Sequence, residues 1–308
     1  MKSIVPRVVV VGSFNMDLVV RTPRRPAKGE TVFGSDFGMY CGGKGFNQAI
    51  AAARLGAAVT MIGRVGADHF GDLFLQALAC DRIRADAVTR DEYNGTGVGL
   101  PVIGADGDNS IVVVPRANMA MQIQDVEPYA DQICQADILL LQLEIPQAVS
   151  HYAAHVARRA GVKVILNPAP ASPLDDEFYR LADVLVPNEQ EALALTGVRP
   201  ADEHSLRRAA SALLDHGAQV VVLTLGARGA FLATSKEQTL LPGYMVSVVD
   251  TTGAGDAFCG ALAVALARGS SLADAVRFAN AASALSVTRA GASPSMPTAA
   301  QVGQFLSV

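Results

Sequence analysis

The sequence predicts an α/β fold: a doubly wound, mainly parallel sheet flanked by helices, with a small β-sheet added to it. Three observations carry this. Short, continuous apolar runs rich in β-branched residues recur along the chain, as strands buried on both faces do. Ala/Leu-rich stretches of helical length separate them, and strands alternating with helices build parallel sheets. Two segments, 13–42 and 95–115, break that rhythm by alternating polar and apolar residues with Gly or Pro punctuation.

In chain order, a strand is expected at 8–11, then the first part of the small β-layer at 13–42 and a helix at 47–55. A strand at 59–62 and a helix at 70–79 follow. The stretches 98–103 and 111–114, joined by Gly104-Ala105-Asp106-Gly107-Asp108, read as a hairpin of the small layer. The main rhythm resumes with a strand at 138–143, a helix at 145–159, and strands at 162–166 and 184–186. A helix at 205–215, a strand at 220–223, a β-rich stretch at 244–249 and helices at 257–267 and 272–288 complete it. No internal repeat or low-complexity linker interrupts the chain. It is expected to form a single domain over 1–308, with the small β-layer placed as a lid over a cleft.

Composition narrows the function classes. A chain of 308 residues, 50% hydrophobic and 18% charged, buries a full core and is not disordered. The net charge is −4 and basic pairs such as Arg24-Arg25, Arg158-Arg159 and Arg207-Arg208 are scattered, which argues against a nucleic-acid partner. No apolar run approaches the ~20 residues that span a bilayer. The longest, at 257–267, is broken by Cys259-Gly260 and reads as a buried helix. Residues 1–7 lack the apolar region and cleavage site of a signal peptide. Cys41, Cys80, Cys134 and Cys259 show no Cys-x-x-Cys spacing and are expected to be unpaired, buried thiols of a cytoplasmic protein.

The segment with the most chemistry is Asp250-Thr251-Thr252-Gly253-Ala254-Gly255-Asp256, which opens an apolar helix. Small residues at 253–255 let backbone N–H groups gather at a helix N-terminus, where free donors and the helix dipole favour an anion. A carboxylate at the mouth of an anion site makes sense if it accepts a proton from a hydroxyl attacking a γ-phosphate. The competing structural reading is a Gly-rich turn with Asp256 as an ordinary N-cap.

Gly42-Gly43-Lys44-Gly45-Phe46-Asn47-Gln48 nearly spells a phosphate-binding loop with Gly38, but Gly45 stands where Ser or Thr must bind Mg²⁺. A polyol reading survives through Lys44 and Asn47, beside the plain reading of a turn that starts a helix. Ser13, Asn15 and Asp17 share one face just after the first strand, where α/β sheets bind ligands, and Asn15 and Asp17 could grip vicinal hydroxyls. Glu144 ends another apolar run in the same way; a solvated strand edge is the alternative for each. Asn188 and Glu191 fit a capping box. The turn 224–229 lacks a dinucleotide fingerprint. His151 and His155 stand one helical turn apart, but no Glu follows His151, so zinc is not expected there.

Taken together, these segments resemble the ribokinase (PfkB) family of carbohydrate and nucleoside kinases from Gly12 to about Pro297. The resemblance rests on Gly12-x-x-Asn15-x-Asp17, Gly42-Gly43-Lys44-Gly45-x-Asn47-Gln48, Gln142-Leu143-Glu144, Asn167-Pro168-Ala169-Pro170, Asn188-x-x-Glu191 and Asp250-Thr251-x-Gly253-Ala254-Gly255-Asp256. It implies a β-lid that also forms a homodimer contact. It implies transfer of the γ-phosphate of ATP to the primary hydroxyl of a pentose, D-ribose being the first candidate. Another sugar, a nucleoside, or a sugar-binding protein that has lost catalysis are the alternatives.

By the same resemblance Asp256 is the base, and Gly253, Ala254 and Gly255 form the anion hole. Asn15, Asp17, Gly43, Lys44, Asn47 and Glu144 hold the sugar, and Asn188 and Glu191 lie near Mg²⁺ and the phosphates. Thr224, Leu225, Gly226, Ala227, Arg228, Gly229, Gly255 and Asn280 line the nucleotide pocket. An activating K⁺ is implied at Asp250, Thr252, Ser286, Arg289, Gly291 and Ser295. Two departures stand out: Phe46 where the family has a small residue, and Arg116 where it has Gly. Both bear on the choice of sugar.

Overall fold

The computed structural model describes residues 5–105 and 109–307. The chain runs β1 (Arg7–Val11), β2 (Asn15–Arg21), β3 (Asp36–Gly42), α1 (Lys44–Arg54), β4 (Ala58–Gly66), α2 (His69–Cys80), β5 (Val88–Asp91), β6 (Gly97–Ile103) and β7 (Asn109–Val114). It continues through α3 (Ala130–Cys134), β8 (Ile138–Leu141), α4 (Gln147–Arg159), β9 (Lys163–Leu166), α5 (Asp176–Leu181), β10 (Val184–Leu185), α6 (Glu189–Thr196) and α7 (Glu203–Asp215). The last elements are β11 (Val220–Thr224), β12 (Ala230–Thr234), β13 (Gln238–Leu241), α8 (Ala254–Ala267), α9 (Leu272–Ser286) and α10 (Ala299–Leu306).

Among the described residues the main sheet has nine strands, in the order β13-β12-β11-β10-β9-β8-β1-β4-β5. Its pairs are parallel except for β11 with β12 and β12 with β13. The apolar runs are buried on both faces, because α1, α2, α8 and α9 cover one side and α4, α5 and α7 the other. The second sheet has four strands, β3-β2-β6-β7. The turn expected at Gly104–Asp108 has its centre, Asp106 to Asp108, outside the described residues.

Two expectations are corrected. Residues 244–249 form no strand: beyond β13 the backbone finds no ladder partner, and Met245, Val248 and Val249 are exposed. The hairpin β12–β13, unforeseen, closes that edge instead. Finally, Cys80 and Cys134 are exposed, so only Cys259 is fully buried; all four thiols are free.

Two close approaches position the site. Gly45, the position that broke the phosphate-loop pattern, lies in the first turn of α1 against the β1–β2 loop. A Cβ there would stand 2.4 Å from Ser13 N and 2.7 Å from Gly12 C, so a Ser or Thr cannot be accommodated. Gly260 of α8 does the same against α1, where a Cβ would meet Ala51 Cβ at 2.6 Å and Gln48 O at 2.9 Å. The two helices therefore cross with almost no side-chain spacer, and the start of α1 is brought onto the start of α8.

Candidate active site

Ser13, Asn15 and Lys44 meet at Glu144, beyond the carboxyl ends of β1 and β8. Glu144 Oε2 accepts from the Ser13 hydroxyl at 2.5 Å, the Lys44 backbone N–H at 2.9 Å and Asn15 Nδ2 at 3.2 Å. Asn118 fixes Asn15 from behind, donating to its Oδ1 at 2.9 Å. Asp17, one β-pleat further, has a carboxylate lying against Gly42 and Gly99, where any side chain would overlap it. No donor among the described residues hydrogen-bonds it.

Asp256 is the centre of a second group. It is 6% exposed. Oδ2 accepts from Asn47 Nδ2 at 2.9 Å and Oδ1 from Gln48 Nε2 at 3.1 Å. Gln48 is in turn held by Gln142, whose Nε2 donates to its Oε1 at 2.6 Å, and Asn167 completes the amide chain. The N-cap of α8 is Gly253, at φ 77° and without a side-chain cap bond, so the helix starts at Ala254, three residues earlier than expected. Asp256 is its third residue and turns its carboxylate onto α1. The capping reading of Asp256 is thereby excluded.

The electrostatics follow from burial. Burial pushes the Asp256 carboxyl up from its ordinary value, and Lys44 with the Asn47 and Gln48 amides only partly offsets it. Asp17 is raised to about 7, first by burial and then by Glu144 and Asp256. Glu191 is raised by burial against the pull of Asn188 N–H and Lys44. The Lys44 ammonium, which burial alone would lower, ends above its usual value because Asp256, Glu144 and Glu191 surround it. One cation thus balances a ring of carboxyls, as in sites where perturbed groups are matched to proton transfer.

Beside Asp256 opens a cavity of about 630 Å³ lined by Asn188, Thr224, Gly226, Ala227, Gly229, Gly255 and Asn280, with Tyr244, Met245 and Phe258 among its apolar walls. A cavity of this size takes a cofactor-sized ligand. Ala254 N–H donates to Thr251 O at 3.2 Å, whereas Gly255 and Asp256 N–H have no acceptor among the described residues. Space above Gly255 is open: a Cβ there would meet nothing within 4 Å. An anion at the helix end has donors and room.

The chain matches the pfkB family carbohydrate kinase over residues 5–299. It belongs to that family. As a member it is a phosphotransferase whose acceptor is a sugar hydroxyl. It is similar to the ribokinase of Haemophilus influenzae (42% identical over 96% of this chain and 97% of the relative). The ribokinase of Bacillus subtilis is also 42% identical, over 97% and 99%. The deoxyribokinase of Salmonella typhi is 35% identical, over 98% and 99%. Among solved structures, Arabidopsis thaliana ribokinase complexed with ribose and ATP superposes with a TM-score of 0.93 at 35% identity, covering 99% of this chain and 100% of that one.

Most of the residues singled out for the family chemistry fall around these two groups, with differences. Leu225 is buried in the core and does not line the cavity. Arg228 does not line the cavity itself but donates to three residues of its wall, Glu189 at 2.7 Å and the Ala201 and Pro200 carbonyls. Asn188 and Glu191 do form the capping box, both Glu191 oxygens accepting from Asn188. Gly43 is the N-cap of α1. Asp250 accepts from Thr252 N and Oγ1 at 2.9 and 2.7 Å and from Gly291 N at 2.8 Å, which joins the 250–252 and 286–295 segments. The hydroxyls of Ser286 and Ser295 donate to Ser283 O and Ala292 O, and the exposed Arg289 donates its backbone N–H to Ser286 O.

Residues not foreseen for the site are Gln48, Asn118, Gln142 and Asn167; Ser13 joins it from the polar face it shares with Asn15 and Asp17. Gln48, Gln142 and Asn167 lie inside motif blocks already visible in the sequence; Asn118 carries no local signal. Both departures from the family pattern are absorbed outside the site. Phe46 packs edge-on against Phe74 with ring centroids 4.9 Å apart, and Phe14 joins them. Such contacts contribute roughly 0.5–1.5 kcal/mol each beyond burial. Arg116, at φ 45°, covers Gly95 and donates to Thr96 O at 3.1 Å.

Proposed function

We propose that this chain phosphorylates the primary hydroxyl of D-ribose from ATP, with Asp256 as catalytic base. The observation that carries the reading is the position of Asp256. Its buried carboxylate is held by Asn47 and Gln48 between the polar recess of Asn15, Asp17, Lys44 and Glu144 and the cavity at Gly255. The recess offers hydroxyl partners: among the described residues the Asp17 carboxylate has no donor, and Asn47 Oδ1 is a buried acceptor without a partner. The relatives named ribokinase and the Arabidopsis enzyme complexed with ribose and ATP support the same substrates.

In this reading the base of ATP occupies the cavity near Asn280, and its γ-phosphate faces the N–H groups of Gly255 and Asp256. Asp256 orients the attacking hydroxyl and takes its proton as the bond to the γ-phosphorus forms and the bond from that phosphorus to the β-phosphate oxygen breaks, releasing ADP. Phosphoryl transfer has a loose transition state, so positioning and charge stabilisation supply most of the rate. Gly253 shapes the turn that exposes those donors. Lys44 supplies positive charge between the carboxylates and the phosphates.

Mg²⁺ would neutralise the phosphate oxygens. Both Glu191 oxygens are occupied by Asn188, so the fit is to an ion held through water near Asn188 and Glu191. A K⁺ would sit at the junction of 250–252 with 286–295 mainly on backbone carbonyls, because three donors already engage the Asp250 carboxylate. There it would order the turn that precedes the anion hole.

The four-stranded sheet serves as the lid and carries the homodimer contact. Phe37, Met39, Leu100, Ile111, Val112 and Val113 are all exposed on it, a large apolar surface for a protein alone in water. Among the described residues no helix is long and apolar enough to cross a membrane. A cytoplasmic setting fits the four free thiols.

A coupled assay of ADP release with ribose, 2-deoxyribose, ketohexoses and nucleosides tests the assignment. Ribose is expected to give the highest kcat/KM, since the recess offers polar partners and no aromatic platform for a base. Faster turnover of any nucleoside, or of 2-deoxyribose, would refute it.

A further inference from the structure

The face of α4 that meets α5 carries His151 and His155, one helical turn apart. Opposite them α5 begins with Asp175 as its N-cap and Glu177 in its first turn. The Glu177 carboxylate stands across both rings: Oε1 lies 3.2 Å from His155 Nε2 and Oε2 3.7 Å from His151 Nε2. Asp175 Oδ1 is 4.0 Å from His151 Nε2. His151 Nε2 is itself buried and has no hydrogen-bond partner among the described residues, a state that native proteins rarely leave unexplained. Its ring is fixed by edge contacts to Phe178 and His155, with centroids 5.3 and 4.7 Å away.

One ligand atom from each of His151, His155 and Glu177 lies within 4.8 Å of the others. Ligands bound at about 2.0–2.1 Å to a tetrahedral ion stand about 3.3 Å apart, so small rotations of partly exposed side chains close the set. We propose that His151, His155 and Glu177 bind a divalent transition-metal ion of the zinc class, clamping α4 to α5, with water or Asp175 in the fourth position. Two imidazoles select such an ion over Mg²⁺ or Ca²⁺, which take oxygen ligands. The site is therefore separate from any ion of phosphoryl transfer, and the ion adds stability without being needed for turnover. The sequence pattern argued against it because no Glu adjoins His151; the third ligand comes from another helix.

Cobalt(II) is the probe. Added to the full-length protein, it should bind at one equivalent with the visible absorption of a tetrahedral nitrogen–oxygen site. Zn²⁺ should displace it and raise the melting temperature, since a ligand of the folded state stabilises that state. The His155 and Glu177 side chains are 41% and 56% exposed. His155→Gln and Glu177→Gln should therefore melt like the unsubstituted protein in chelator and keep activity with Mg²⁺, but lose both the absorption and the Zn²⁺-dependent shift. A wild-type protein with no such absorption, or absorption that survives both substitutions, overturns the assignment.

Discussion

At the scale of single residues, Asp256 and Asp17 are carboxyls placed where water cannot reach them freely, and the consequences differ. Asp256→Asn retains size and hydrogen bonding but cannot accept a proton. A fall in kcat of ~10²–10⁴-fold is expected, the usual range for a general base. Affinity for ATP should change little, because in the proposed site the phosphates would face backbone N–H groups, and steady-state kinetics with nucleotide titration separates the two quantities. An active Asp256→Asn enzyme would sink the mechanism.

Asp17 makes a prediction about pH. Its folded value of about 7 lies above the ordinary 3.8, so the folded state holds more protons than the unfolded one between those values. Its contribution is complete below the unfolded value and is lost as pH rises through the folded one. The melting temperature should therefore carry a downward trend from about pH 5 to about pH 8 that Asp17→Asn flattens. An identical profile in the variant would show that Asp17 is not the perturbed group.

At the scale of elements, helix ends and helix crossings decide the chemistry. The contact of α1 with α8 at Gly260 delivers Asn47 and Gln48 to Asp256, and the Gly253 cap turns the N-terminus of α8 towards the cavity. The loop before that cap is tied to the segment after α9 by Asp250 and Gly291. A monovalent cation held there would act on the anion hole without touching substrate. Replacing K⁺ by Li⁺ at constant Mg²⁺ should lower kcat, and equal rates in both salts would remove the cation from the mechanism.

At the scale of the whole molecule, the four-stranded sheet stands out from an otherwise continuous α/β body. Its exposed apolar side chains are what support the proposed homodimer contact. Ile111→Glu, at a residue 54% exposed, should leave the circular dichroism spectrum intact and convert a dimer into a monomer in sedimentation. A wild-type protein that already sediments as a monomer would refute the contact. Sugar turnover should fall with the dimer if the lid is held by its partner.

The sequence by itself determined the layered α/β class, most strand and helix positions, and the motif blocks that carry Asn15, Asp17, Lys44, Glu144 and Asp256. Those features are local: buried strands read as apolar runs, and ligand-facing residues sit at strand and helix ends. Only the tertiary structure decided that Asn47 and Gln48 of α1 grip Asp256 of α8, and that Gln142 and Asn167, from beyond the ends of β8 and β9, back Gln48. It also moved Phe46 into the core, opened 244–249 into a cavity wall in place of a strand, and brought Glu177 to two histidines. Each of these depends on packing between elements, and no spacing along one segment encodes it.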